Sequence, residues 1–134
     1  MAPTVTERLA LAACVLLLLG AAFQLGLSAG APWGAAAYGG RASLSDGRLL
    51  TRYRAASLIT AAVLVGIGWL LLLRGGVVGS SSGSSVLTLA CWAFAVLFGI
   101  NTVGNLAGRH PVERLGMGAL TACLTVLCVL VAIG

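Results

Sequence analysis

The stretch LALAACVLLLLGAAFQLGLSA, from Leu9 to Ala29, carries no charged residue and decides the fold class. A hydrocarbon core about 30 Å thick is crossed by roughly 20 apolar residues of α-helix, so an uncharged run of this length reads as a transmembrane span. Three more runs of the same kind follow, Ala55 to Leu73, Val86 to Leu106 and Leu115 to Ile133. Of the 134 residues, 60% are hydrophobic and 8% charged, and the mean hydropathy is +1.08, far from the balance of a soluble domain. The sequence predicts an all-α, antiparallel four-helix transmembrane bundle forming one domain over residues 1–134, with spans at about 9–29, 55–73, 86–106 and 115–133. Arg8 and the small residues Ser28-Ala29-Gly30 flank the first run much as a signal peptide would be flanked. Its apolar core exceeds the roughly 7–15 residues of a signal sequence, so the reading is a retained helix.

The 8 basic residues are all arginine, and cationic residues in short loops stay on the cytoplasmic side. Arg8 and Arg74 lie on the side holding both termini; Arg41, Arg48, Arg52, Arg54, Arg109 and Arg114 lie on the other. Both termini are therefore expected outside. The formal charge of +5 becomes a cytoplasmic collar that attracts anionic lipid headgroups by about 1 kcal/mol per residue near the surface. Topology alone produces such a rim, and no nucleic-acid partner is expected from it.

The connections differ in character. Gly30-Ala-Pro-Trp-Gly-Ala-Ala-Ala-Tyr-Gly-Gly-Arg41 is made of small residues apart from Trp33 and Tyr38, which suits a shallow re-entrant or surface-lying segment. Ser45-Asp46-Gly47 reads as a turn and helix cap, with Arg48, Arg52 and Arg54 leading into the second span. The serine and glycine run from Gly79 to Ser85 is a flexible linker by composition. Arg109 to Arg114 is a tight hairpin with Pro111 at a helix start and Glu113 in the first turn. Arg109 and Glu113, at i and i+4, read as an exposed pair. Gly104, Gly108, Gly116 and Gly118 are expected to let helices approach closely.

Threading alternate directions through the membrane places Gln24, Thr60, Asn101, Asn105 and Thr121 at one depth, about one to two turns inside the arginine-rich face. Amides in hydrocarbon are costly unless bonded, so Gln24, Asn101 and Asn105 are expected to point into the bundle and toward one another. In one reading they are interhelical glue. In the other they floor a small binding pocket roofed by Trp33, Tyr38 and Arg41.

Several chemistries find no support. No acid falls within the four uncharged runs, which weakens proton-driven transport. His110 is the single histidine and sits in a loop, so neither a bis-histidine haem nor a metal site is expected, and no cofactor is implied. Cys14, Cys91, Cys123 and Cys128 lie in spans without a CxxC pair and read as small hydrophobes. No nucleophile with a base lies inside the bundle, so no catalytic residue is assigned and an enzyme is the last choice.

Gly30-Ala-Pro-Trp-Gly34 with Tyr38-Gly-Gly-Arg41, then Gly104-Asn105-Leu-Ala107 with Val112-Glu113-Arg114, resembles an uncharacterised group of small four-helix bacterial integral membrane proteins. The resemblance covers most of the chain and implies a helix bundle in a bacterial plasma membrane, with no activity attached. Gly108-Arg109-His110 stands where that group usually has a serine-rich turn, and Gly118 where proline is common. Two functions are carried forward. The first is a structural or accessory membrane protein, acting alone, as a homo-oligomer or as a subunit of a membrane complex. The alternative is a binder or transporter of a small amphipathic or anionic molecule, using the polar layer and the arginines.

Overall fold

The computed structural model describes residues 2–134. It is all-helical, with α1 (Val5–Ala29), α2 (Thr51–Arg74), α3 (Ser85–Leu106) and α4 (Gly118–Ile133), the last entered through a π-helical segment, Val112–Met117. Val5–Ala29, Thr51–Arg74, Ser85–Leu106 and Val112–Ile133 are each long and apolar enough to cross a membrane. The first two helices start a turn before the uncharged runs. At α1 the reason is a capping box: the Thr4 hydroxyl accepts from Glu7 N at 3.1 Å while the Glu7 carboxylate accepts from Thr4 N at 2.9 Å. At α2 the added turn carries Arg54, whose Nε donates to Ser28 O at 2.9 Å near the end of α1, satisfying a carbonyl of the helix terminus.

Ser45-Asp46-Gly47 forms its turn, with Gly47 N donating to Leu44 O and Arg48 N to Asp46 Oδ1, both at 3.0 Å. It does not cap α2, as the sequence suggested. Ser43 and Leu49 pair as an antiparallel bridge, which keeps the chain extended until Leu50, a residue with no side-chain acceptor to offer.

End-to-end contacts fix the directions of the helices. Arg54 meets Ser28 at one end of the α1/α2 pair, Gly75 packs on Ala10 at the other, and midway the Cys14 thiol donates to Gly68 O at 3.3 Å. The end of α3 packs on the start of α4, and Gly134 returns to Thr6, so both termini share one end of the bundle. Arg74 ties that end together, Nε donating to Thr88 Oγ1 at 3.1 Å and Nη2 to Ala132 O at 3.0 Å. Neighbouring helices therefore run in opposite senses. The core alternates large with small, Leu17, Leu71, Phe98 and Leu124 against Ala10, Ala13, Cys91 and Cys128, which lets helix axes approach.

A second cluster, Leu27, Ala37, Ala42 and Leu49 with Phe23 and Tyr53, folds residues 31–50 down as a compact cap through two short 3-10 turns, Gly34–Ala36 and Tyr38–Gly40. Of the glycines expected to bring helices together, Gly118 does so: a Cβ there would meet Leu106 at 3.1 Å. Gly104 faces open space.

Candidate functional site

Two of the chain's three acids are used locally, Glu7 in the α1 capping box and Asp46 beside Arg48. The third behaves differently. Glu113 is 5% exposed. Its Oε1 accepts the Gly39 N–H at 2.9 Å, whereas Oε2 is buried with no donor. The expected exposed pair with Arg109 does not form, and the one ion pair among the described residues joins Arg48 and Asp46. Both geometry and space explain the difference. A π-helix is wider than an α-helix, so the segment that begins after Pro111 re-aims its side chains relative to an α-helical start. Gly108 leaves the room, since a Cβ there would lie 2.5 Å from Glu113 Oε2.

The donor to Glu113 comes from a strained turn. Tyr38, Gly39 and Gly40 hold φ of 52°, 67° and 75°, a left-handed run that is costly for the tyrosine and persists where its surroundings hold it. Here the Tyr38 hydroxyl lies 3.1 Å from Ser57 Oγ, and its ring packs on Tyr53 at 5.0 Å between centroids. That turn roofs a cavity of about 390 Å³ walled by Gln24 of α1, Thr60 of α2, Asn101 and Asn105 of α3, and Glu113. A deeper recess of about 130 Å³ shares Gln24, Thr60, Asn101 and Asn105 and continues between Leu16, Leu17, Leu64 and Leu120.

No protein-family model, curated protein or solved structure matches this chain. The site is therefore read from its own side chains.

The polar layer splits into two groups. Asn105 Nδ2 donates to Met117 O and Thr121 Oγ1, each at 3.3 Å, and the Thr102 and Thr121 hydroxyls lie 3.0 Å apart, joining α3 to α4. Gln24, Thr60 and Asn101 line the cavity beside Asn105 without a bond to α4. Thr60 donates backward to Ala56 O at 2.9 Å, Asn101 stands at the exposed rim, and Gln24 Oε1 is buried without a donor. The three amides line one cavity, but among the described residues no hydrogen bond joins them: Gln24 belongs to α1, and Asn105 turns to Met117 and Thr121 rather than to Asn101.

Of the expected roof, Tyr38 alone lies over this cavity. Trp33 stacks on Phe23, with centroids 5.9 Å apart and planes 7° from parallel, and covers Gly26. It lines a neighbouring hollow of about 350 Å³ with Pro32 and His110. Arg41 is exposed and lines neither space. The residue that sequence reasoning missed is Glu113, and the available signal was Gly108, a position without a side chain beside a lone acid.

A carboxyl group, three amides and two hydroxyl groups beside a leucine-rich recess can hold a ligand by hydrogen bonds and burial. Among the described residues, neither a thiol nor an imidazole lines either space.

Proposed function

We propose that this chain is a small integral protein of a bacterial plasma membrane that binds a small amphipathic molecule in the cavity beneath the Tyr38–Gly40 turn. Both termini face outward and the arginine-rich end faces the cytoplasm, a sidedness supported by the distribution of six arginines against two. The observation that carries the binding reading is a pair of side chains lining one cavity, Gln24 and Glu113, each with a buried oxygen that no donor in the described residues reaches. Buried polar atoms are almost always bonded, because an orphaned one costs about 1–3 kcal/mol. Two such side chains on one cavity support a ligand that brings polar groups of its own. The volume of about 390 Å³ falls within the range of small-molecule sites, and the leucine-lined recess accepts an apolar tail.

Nothing comparable favours a structural or accessory role. The Asn105, Thr102 and Thr121 network is satisfied within the chain, which accounts for the glue without a partner. Native mass spectrometry of protein purified gently into lipid nanodiscs tests the reading. The expected result is one small molecule per chain in the wild type, lost in Asn101→Leu. An empty cavity together with a stoichiometric membrane-protein partner supports the accessory role instead.

A further inference from the structure

We propose that the cavity takes a cationic head group with N–H donors, of the primary alkylammonium class, with Glu113 as its counter-charge and the apolar recess as the seat of its tail; the proposal rests on the binding reading above. Glu113 is the one charged side chain lining the cavity, it is almost completely buried, and no arginine lies within ion-pair distance of it. A carboxyl group is costly to ionise in a buried site without a partner, and a cation in the cavity lowers that cost. A neutral donor satisfies a lone pair without lowering it. Hydrogen bonds between ionised groups are roughly twice as strong as neutral ones.

Gln24 cannot fix the sign by itself, since rotation of its amide presents either oxygen or nitrogen. It adjusts to whatever Glu113 selects. The arginines at this end argue weakly for an anion, and their placement weakens the case further. Arg41, Arg109 and Arg114 are exposed, and none lines the cavity. Charges in water are screened within about 10 Å at moderate salt, so the collar acts on the membrane surface more than on the cavity. Shape agrees with the class. Gln24, Thr60, Asn101 and Asn105 line both spaces, Glu113 and Tyr38 only the roofed cavity, and Leu16, Leu17, Leu64 and Leu120 only the recess, which suits a charged head at one end and a short tail at the other.

Isothermal titration into nanodisc-embedded wild-type protein, corrected for empty nanodiscs, tests this with three probes sharing one tail: n-hexylammonium, n-hexanol and n-hexanoate. The expected order is ammonium well above alcohol, with hexanoate showing no binding above the empty discs. Glu113→Gln should weaken n-hexylammonium by about tenfold or more, the scale of a charge-assisted hydrogen bond, and leave n-hexanol within a factor of about two. The three wild-type titrations decide the matter even if Glu113→Gln fails to fold. Equal binding of all three probes keeps the binding reading and overturns the cationic one, as does hexanoate binding more tightly than the amine. Absence of binding by every probe, with no small molecule retained on purification, overturns both.

Discussion

Asn101 and Asn105 share a face of α3 and both line the cavity, yet Asn105 is also bonded to Met117 O and Thr121 while Asn101 has no such bond. The two positions therefore separate glue from site. Asn105→Leu should lower unfolding free energy by about 1–3 kcal/mol, because Thr121 and Met117 O lose a donor. Asn101→Leu should leave it nearly unchanged while abolishing retention of the ligand. Equal losses in thermal unfolding in detergent would show that the layer acts as one structural unit. Gly108 supplies a second test at this scale. A methyl group there would meet Glu113 Oε2 at 2.5 Å and the Asn105 carbonyl at 2.9 Å, so Gly108→Ala should push the carboxylate off the Gly39 N–H. It should weaken n-hexylammonium as Glu113→Gln does, with helix content by circular dichroism unchanged. Binding equal to wild type would mean that the carboxylate acts from elsewhere.

Among the elements, the helical spans were legible in the sequence and the start of the fourth was not. Long uncharged runs are a strong signal because length and hydropathy add over roughly 20 residues. Helix ends depend on single contacts, and the Thr4 and Glu7 capping box or the Arg54 bond to Ser28 O adds a turn that hydropathy does not register. Glu113 was misread for a related reason. Regular α-helical geometry puts residues 109 and 113 on one face, whereas the chain leaves α3 at Leu106 and re-enters helix in a π winding at Val112. Shared depth groups Gln24, Asn101 and Asn105, and all three line one space, since depth follows from rise per residue alone. Trp33 and Arg41 were assigned by loop membership, and the turns at Gly34–Ala36 and Tyr38–Gly40 send them elsewhere. At the opposite end, Arg74 holds α2 against α3 and α4. Arg74→Leu should cost about 2 kcal/mol by removing the hydrogen bonds of a charged donor, and Arg74→Lys should recover part of it. Unfolding midpoints unaffected by either change would remove Arg74 from the account of stability.

At the scale of the molecule, the four helices flank a polar space near one end, and the proposed sidedness puts that end toward the cytoplasm. In a variant without its native cysteines, Ser82→Cys should react with an impermeant thiol reagent added to intact cells and Ser45→Cys should not; the reverse would invert the orientation. The most direct measurement of the central claim, a polar cavity inside a membrane-embedded bundle, compares cavity and outer positions at similar depth. Thr60 and Asn105 line the cavity, whereas Ile59 and Val103 are 66% and 70% exposed on the outer surface of the bundle. With single cysteines at these four positions in inverted membrane vesicles, a small cationic methanethiosulfonate should modify Thr60→Cys and Asn105→Cys rapidly and leave Ile59→Cys and Val103→Cys unreacted. Equal reactivity at all four, or reaction confined to Ile59→Cys and Val103→Cys, would contradict the cavity and the membrane-embedded bundle that contains it.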